Sequence, residues 1–225
     1  MSQPGPRRTA SAKLTLTDPY RRGQRYEQIV SAATTLAALG NVDCQIRSVA
    51  TVAGIAPSTV YRHFTSKDDL LLACLHRWLL DFAATYEDKN AFAFDSHQGV
   101  LEVVRALTAS LCSSPRFTEA VIRPYLYARG EVCARADIVS QQLIRLFSSA
   151  MINGQPSQLQ RGVAEVLIDI WAANIVAISQ NRTTIDDLMH RLTLVIDALK
   201  ETESGAEGTG PSRGGNEGPD AEDAA

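Results

Sequence analysis

The stretch that decides the fold is AGIAPSTVYRHFTSKDDLLL, residues 53–72. Gly54 can adopt the positive φ that a tight turn requires. Pro57 suits the first position of a helix, because the N–H group that it lacks would have no partner there. Ile55 and Val60 then occupy the two positions of a hydrophobic staple, which fixes the direction in which the chain enters the helix. The stretch therefore predicts a tight turn followed by a short helix.

Two short helices joined by this turn predict a helix-turn-helix. The upstream helix covers residues 46–53, with its apolar residues on one face. In the downstream helix, over 57–64, Val60 and Phe64 lie four residues apart and share a face that can anchor the helix to its neighbours. The residues left on its outer faces are Ser58, Thr59, Tyr61, Arg62 and His63.

These outward side chains suit a nucleic acid. Arginine can bind guanine through two hydrogen bonds, a threonine methyl group can contact thymine, and tyrosine and histidine can bind phosphates. Lys67 lies in the first turn of the next helix, where a cation opposes the helix dipole unless a phosphate binds there. Arg47, near the start of the upstream helix, is expected to reach the same groove. The alternative is that Tyr61 and His63 are packing residues and Arg62 is a solvated charge.

The charge of the chain is divided unevenly. The formal net charge is −3, yet residues 1–67 hold nine basic and three acidic residues, which gives +6 and leaves −9 for the remainder. A basic segment on an acidic body favours an anionic partner, and the alternative is a basic arm with no partner. We expect residues 1–20 to form a flexible basic arm and residues 201–225, which have no apolar anchor, to form a disordered tail.

Between the arm and the tail the sequence predicts an all-α fold, because almost every segment has helical periodicity and none shows the alternation of a strand. About nine helices are expected, at 22–39, 46–53, 57–64, from Ser66 onward, and at 97–112, 116–129, 135–152, 157–180 and 184–199. No apolar run approaches the roughly 20 residues that span a bilayer. No secretory signal precedes the first helix, so we expect a cytoplasmic protein.

Four cysteines and four histidines are scattered along the chain without the spacing of a zinc site or a disulfide framework. Buried free thiols are the simpler interpretation. The alternative function is a DNA-binding regulator that responds to thiol oxidation, with Cys44 as its redox switch. No arrangement of nucleophile, base and orienting group supports an enzyme. We expect no catalytic residue, no metal and no cofactor.

The first third of the chain resembles the DNA-binding region of TetR-family repressors. The resemblance covers about residues 25–72 and rests on the strings IRSVA at 46–50, AGI at 53–55 and TVYRHFTSK at 59–67. It implies a three-helix DNA-binding head over 21–66 and a six-helix ligand-binding and dimerisation body over 67–200.

Carried over by position, the resemblance also implies individual DNA contacts. The base or phosphate contacts are expected from Arg47, Pro57, Ser58, Thr59, Tyr61, Arg62, His63 and Lys67. Two residues depart from the family pattern. Ala56 replaces the usual Ser or Thr helix cap, which should weaken the short helix by roughly 1 kcal/mol, and Ser58 stands where Gly is common.

The aromatic residues of the body have two interpretations. At helical spacing they are usually core, but in a helical bundle they also line apolar ligand cavities. The ligand-binding candidates are Trp78, Phe82, Phe117, Tyr125, Trp171 and Asn174. Residues 117–199 resemble the cholesterol-catabolism repressors of actinobacteria, which implies a small hydrophobic ligand such as an acyl-CoA or a sterol-derived lipid. Arg105, Arg116 and Arg123 are then candidates for the CoA phosphates, or else surface charges.

The last two predicted helices carry long apolar stripes. The residues are Val163, Val166, Leu167, Ile170 and Ile178 in the first helix and Leu188, Leu192, Val195 and Leu199 in the second. The stripes fit either a homodimer interface or the core of one chain. A homodimer would place two heads about 34–36 Å apart on a near-palindromic operator in double-stranded DNA. The sequence thus predicts a repressor that a hydrophobic ligand releases from its operator.

Overall fold

The computed structural model describes residues 19–40, 45–90, 97–151 and 155–207. Within these ranges the fold is all-α, as predicted, with nine α-helices, one 3₁₀ turn and no strand. The helices are α1 Pro19–Leu39, α2 Ile46–Val52, α3 Pro57–Tyr61, α4 Lys67–Asn90, α5 His97–Cys112, α6 Pro115–Leu126, α7 Cys133–Ser149, α8 Gln158–Ser179 and α9 Ile185–Glu207. The 3₁₀ turn, Gly130–Val132, leads into α7.

The first three helices form a small head that shares its core with the rest of the chain. α2 packs against both α1 and α3, and α1 also packs along α4 and α6. From α1, Ile29, Ala33 and Ala37 are fully buried, as expected from their spacing along one face of the helix. The head is therefore mounted on α4 and α6 through α1.

The other six helices form the body. α4 packs against α6 and α7, α7 and α6 pack against α8, and α5 packs against α9. The largest fully buried side chains of the body include Trp171 and Phe147, and its core is continuous with that of the head. Because the two cores are continuous, a displacement of body helices can change the position of the head.

Several helix boundaries differ from those predicted. α3 ends at Tyr61 rather than at Phe64, although the N–H groups of His63 and Phe64 still bond to the Val60 carbonyl at 2.9 and 3.0 Å. α9 continues to Glu207, so the first seven residues of the predicted tail are helical. Glu and Ala in this segment favour a helix, but Ser204 and Gly205 do not, so the helix continues here against part of its local sequence. The rest of that tail, and residues 1–18 of the predicted arm, lie outside the described residues.

The apolar stripes of the last two helices mostly face the interior of the single chain. Val163, Leu167 and Ile178 of α8 and Leu188 and Leu192 of α9 are buried. These five residues therefore belong to the core, the second of the two predicted interpretations. Other apolar side chains of α8 and α9 remain exposed, namely Leu159, Val166 and Leu194. The side chain of Leu199 lies outside the described set.

One helix is apolar enough to deserve comparison with a membrane span. α8 has 22 residues and a mean hydropathy of 1.6 over its most apolar window, so by length and composition alone it could cross a bilayer. Its Leu167, Trp171 and Ile175 are instead buried among the other helices. α8 packs against α5, α6, α7 and α9, and this packing accounts for part of its hydropathy. The other helices in the described ranges do not meet the same test.

Candidate nucleic-acid interface

The turn between α2 and α3 depends on Gly54. Its φ is +66°, in the left-handed region that residues with a side chain rarely adopt. A Cβ placed on Gly54 would meet no atom within 4 Å, so conformation alone, and not space, requires glycine here. The turn is closed by the N–H groups of Gly54 and Ile55, which donate to Thr51 and Ala50 at 3.1 and 2.9 Å.

α3 is anchored by the residues that the sequence predicted. Val60 and Phe64 are buried, and Ile55 packs against the same core. Burial of each of the two large side chains contributes about 1.5–3 kcal/mol. Pro57 occupies the first turn, and Ala56 precedes it with an extended backbone and no side-chain hydrogen bond to the helix. The helix is held in place by its inward face rather than by a cap.

The outer face of this helix is open to solvent. Tyr61 is 59% exposed, although it is a large aromatic residue, and Pro57, Ser58 and Arg62 are exposed as well. Thr59 and His63 are half-buried at its edges. The interpretation of Tyr61 as a packing residue is therefore wrong. Arg47 is exposed on α2, the helix that packs against α3.

His63 shows that this surface carries positive charge from more than one helix. Its pKa is lowered from 6.5 by burial, and further by the charges of Arg22, Arg62 and Arg25. Arg22 and Arg25 belong to α1 and were not among the predicted contact residues. Three guanidinium groups thus lie close enough to act on one imidazole. Such clusters attract the phosphates of a nucleic acid.

Lys67 begins α4 beside an ordered capping arrangement. The Ser66 hydroxyl accepts a hydrogen bond from the Asp69 N–H group at 3.1 Å, and the Asp69 carboxylate accepts one from the Thr65 N–H group at 2.9 Å. Half of the predicted capping box is thus present: Ser66 caps the helix, but the Asp69 carboxylate bonds to the N–H group of Thr65 and not to that of Ser66. Lys67 lines a groove of about 260 Å³ together with Arg123 and Tyr127 of the α6 end.

The predicted ligand-binding residues fall into two groups of three. Trp78 stacks on Phe82 with ring centroids 5.6 Å apart, and Phe117 packs against Trp78 at 6.5 Å. Tyr86 continues the stack at 5.6 Å from Phe82. These side chains form a contiguous aromatic row between α4 and α6, in which Phe117 is buried and Trp78 and Phe82 are half-buried.

The other three candidates are occupied by contacts within the chain. The Trp171 indole N–H donates to the Thr108 hydroxyl at 3.1 Å, and its ring meets the edge of Phe147 at 6.5 Å. Tyr125 shares a hydrogen bond of 2.9 Å with Ser140. The Asn174 amide oxygen accepts from Arg191 at 2.9 Å. Each of these residues thus has a structural role in fixing helix positions.

Two of the three arginines suggested for CoA phosphates are also paired within the chain. Arg105 forms an ion pair of 2.8 Å with Asp186, and Arg116 donates to the carbonyl group of Leu39 at 2.8 Å. Arg105 also lines a groove of about 340 Å³ between α5 and α9. Arg123 lines the groove beside Lys67. Through its bond to the Leu39 carbonyl group, Arg116 connects α6 of the body to the end of α1 in the head.

Among the described cysteines, Cys74 is buried, with its thiol 3.6 Å from the Val30 carbonyl oxygen, and Cys112 has a raised pKa because it is partly buried. Cys133 is exposed. Cys44, the residue of the redox hypothesis, lies outside the described residues. No group of three or more metal-ligating side chains occurs within the residues that the structure describes.

The comparisons with known proteins agree with this geometry. A family profile described as bacterial regulatory proteins of the tetR family matches residues 29–74, and one described as a tetracyclin repressor-like C-terminal domain matches residues 95–199. The HTH-type transcriptional repressor KstR of Rhodococcus jostii is 31% identical over 177 residues, which cover 78% of this chain and 82% of the relative. The chain belongs to the TetR family.

Solved structures of transcriptional regulators share its fold. A TetR transcriptional regulator from Rhodococcus sp. RHA1 superposes with a TM-score of 0.68 at 22% identity, covering 80% of this chain and 97% of the other. The regulator FadR from Bacillus subtilis, solved with stearoyl-CoA, has a TM-score of 0.57 at 16% identity, covering 76% and 97%. The protein is thus a TetR-family transcriptional repressor homologous to KstR, and its KstR relatives are repressors rather than enzymes.

Proposed function

We propose that the protein binds a near-palindromic operator as a homodimer and that a small hydrophobic ligand releases it. The observation that carries the proposal is the outward face of α3. Anchors at Val60 and Phe64 leave Tyr61 and Arg62 in solvent, and arginines of α1 surround His63. A short helix with one buried face and an exposed polar face is what the major groove of DNA accommodates.

The contacts proposed from the sequence divide into those that read bases and those that position the protein on the phosphate backbone. Ser58, Thr59, Tyr61 and Arg62 are placed for base edges, whereas His63 and Lys67 suit phosphates at the rim of the groove. Pro57, exposed in the first turn of α3, is placed to contact the DNA backbone beside it. Arg47 adds a cation from α2. A bacterial operator lies in the cytoplasm, which is where we expect the protein to act.

The homodimer is supported by exposed apolar residues on the last two helices. Leu159 and Val166 are seven residues apart and lie on one face of α8, and Leu194 is exposed on α9, with 48–58% of each residue accessible. Isolated exposed leucines are common on monomers. A row of them on two adjacent helices is better explained by a second subunit, which would also provide the second head that a near-palindrome requires.

The ligand class follows from the body. The aromatic row of Trp78, Phe82 and Phe117 offers an apolar surface between two helices that both contact α1. The resemblance to cholesterol-catabolism repressors favours an acyl-CoA or a sterol-derived lipid. Bacillus subtilis FadR, which shares the fold, was solved with stearoyl-CoA. Acyl-CoA thioesters are therefore the first ligands to test.

The DNA-binding part is tested by selection from a random duplex library with the purified full-length chain. The expected result is enrichment of a near-palindrome whose half-sites are about 10 base pairs, or a multiple of that spacing, apart from centre to centre. Enrichment of single half-sites would contradict the homodimer. A library that stays random after several rounds would contradict operator binding itself.

The release step is tested by titrating stearoyl-CoA into a complex with a fluorescently labelled selected duplex, with cholesterol and free CoA in parallel. We expect stearoyl-CoA, but not free CoA, to lower the anisotropy. Phe82→Ala should raise the concentration that is needed, whereas Leu80→Ala, an exposed position on the same helix, should leave it unchanged. Acyl-CoAs that never shift the complex would contradict an acyl-CoA ligand.

A further inference from the structure

Arg135 joins the body to three elements around the head. It lies near the start of α7, and its guanidinium group forms an ion pair with Asp69 at the start of α4. It also donates to the Tyr26 hydroxyl of α1 at 3.4 Å and lies over the ring of Phe64, 5.4 Å from the centroid. One side chain of α7 thus contacts α1, α4 and the segment that follows α3.

The carboxylate of Asp69 also bonds to the backbone of the segment that follows α3. One oxygen binds Arg135, and the other accepts the N–H group of Thr65, the residue that directly follows Phe64. The side chains of Asp69 and Arg135 are only 9% and 22% exposed. If the arginine were removed, a buried carboxylate would lose its counter-charge, so the pair resists separation.

The aromatic partners of Arg135 reach the DNA-facing surface. The rings of Tyr26 and Phe64 are 5.3 Å apart, and both lie within 6.5 Å of the His63 ring. His63 is one of the proposed phosphate contacts. A displacement of the Arg135 guanidinium group therefore shifts the two rings that His63 contacts, and α2 does not have to move.

The same helix extends from Arg135 into the centre of the body. Ser140 of α7 bonds to Tyr125 of α6, and Phe147 packs against Trp171 of α8. Arg135 and Phe147 are twelve positions apart, which corresponds to about 18 Å of continuous helix. Because a packed helix moves as a unit, a ligand that displaces α6 or α8 at one end of α7 also displaces the guanidinium group at the other.

We propose that Arg135 is a positioning residue that holds the head in its operator-binding orientation, and that movement of α7 releases the head through this side chain. The inference rests on the proposed function for the meaning of the orientation. It assigns no DNA contact to Arg135, whose side chain is only 22% exposed and packs against Asp69, Tyr26 and Phe64. Its loss should therefore weaken operator binding without changing the number of phosphates that are neutralised.

The test compares Arg135→Met and Arg135→Lys with wild type and with Arg145→Met. Methionine keeps the length of the side chain without the charge, and lysine keeps the charge without the fork that reaches several partners. Arg145 lies on the same helix and bonds to Gln142 of that helix, so it is the matched control. Two quantities are measured, the affinity for a duplex selected by the wild type and the hydrogen exchange of backbone amides.

For Arg135→Met we expect a loss of affinity of about tenfold, within the usual range of coupling between sites, at an unchanged salt dependence. Amides of α1 to α3 should exchange faster, whereas those of α8 should keep their protection. Arg135→Lys should be intermediate and Arg145→Met like wild type. Unchanged affinity and exchange in Arg135→Met would overturn the inference, as would an equal loss of protection in α8, which indicates general destabilisation.

Failure of the proposed function gives a different result. In that case the wild type selects no duplex. Exchange is measured without DNA, so it still decides whether Arg135 couples α7 to the head. If Arg135→Met unfolds, Arg135→Lys decides instead: faster exchange confined to α1 to α3 supports the inference, and wild-type exchange overturns it.

Discussion

Single residues decide which side of α3 meets the solvent. Val60 and Phe64 are buried, and Tyr61 and Arg62 lie between them in sequence. Each residue is rotated by about 100° around the helix axis from the residue before it, so these two side chains face a different side from the anchors. The two exposed residues cannot turn inward unless the anchors turn outward. The polar face is therefore a consequence of the apolar one, and this is why its members could be identified from spacing alone.

At the same scale, His76 makes stability depend on pH. This half-buried residue of α4 has a pKa lowered from 6.5 by burial and, secondarily, by the charges of Arg135 and Arg145. Below pH 6.5 the unfolded chain binds a proton that the native state resists, so the stability that is present above this pH is lost as the pH falls towards the lowered pKa. We expect the melting temperature to fall between pH 7.5 and 5.5.

His76→Gln should reduce this fall, and His190→Gln, at an exposed position, should not. The fall should not vanish, because the pKa of His63 is lowered as well. Thermal unfolding followed by circular dichroism at both pH values measures it. If His76→Gln melts with the same pH dependence as the wild type, the environment assigned to His76 is wrong.

Some residues to which we assign a role could not be found from the sequence at this scale. Arg22 and Arg25 are close to His63 only because α1 packs beside the head, and Arg135 reaches Asp69 across 66 positions of the chain. Periodicity indicates which way a residue faces on its own helix. It contains no information about which distant residue lies opposite, and the three arginines were therefore missed.

At the scale of elements, boundaries follow turn and cap chemistry where these are strong. Ser66 and Asp69 form the predicted cap of α4, and Ser157 with Gln160 forms a capping box at α8. Where no such signal exists, the boundaries were less accurate. α3 stops at Tyr61, although the next turn is still hydrogen-bonded to Val60, and α9 extends to Glu207 through Ser204 and Gly205, which are poor helix formers.

The N-terminus of α3 can be stabilised by a substitution at its cap residue. Ala56 has φ −72° and ψ 142°, the extended backbone of a cap residue, but its side chain cannot accept a hydrogen bond. Serine at this exposed position could accept from the N–H groups of Ser58 or Thr59. We expect Ala56→Ser to raise the free energy of unfolding by about 1 kcal/mol, measured by urea denaturation.

The matched control removes a cap that is present, at the start of α4. Ser66→Ala removes the hydroxyl group that accepts from Asp69, and it should lower the free energy of unfolding by about 1 kcal/mol. If Ala56→Ser gives no gain while Ser66→Ala gives the expected loss, the start of α3 is not limited by its cap.

At the scale of the whole molecule, burial divides the apolar residues of α8 and α9 between core and surface. The sequence alone could not do this, since Val163 and Val166 look alike until their neighbours are known. Val163 faces the interior and Val166 faces solvent. The architecture of head and body was predictable because each helix carries its own periodic signal, whereas the interface depends on tertiary packing.

The exposed apolar residues of α8 and α9 predict how an added charge affects formation of the homodimer. Val166→Glu combined with Leu194→Glu should give a monomer, since two buried carboxylates in each subunit would have no partners in a dimer interface. The single chain should keep its helix content, because both side chains are exposed in it. Analytical ultracentrifugation measures the mass, and Ile138→Glu, on exposed α7 surface, serves as the control.

A wild-type protein that sediments as a monomer would contradict this interface. So would a double variant that remains a dimer. In the second case the two subunits associate through a different surface, and the spacing of the heads on DNA would have to be derived anew.

Binding of DNA by α3 and the start of α4 should make the affinity depend on salt concentration through the phosphate contacts of these residues. Each phosphate contact contributes a slope of about −0.9 to the logarithm of affinity against the logarithm of salt concentration. The measurement compares the wild type with Arg62→Ala/Lys67→Ala on a selected duplex. Arg161→Ala/Arg182→Ala removes the same charge from exposed positions of the body and serves as the control.

If Arg62 and Lys67 contact DNA as proposed, the head variant binds more weakly. Its slope becomes shallower by about 1 for each lost phosphate contact in a subunit, while the body variant keeps the wild-type slope. If the head variant retains both the affinity and the slope of the wild type, the DNA-binding surface has been assigned to the wrong residues.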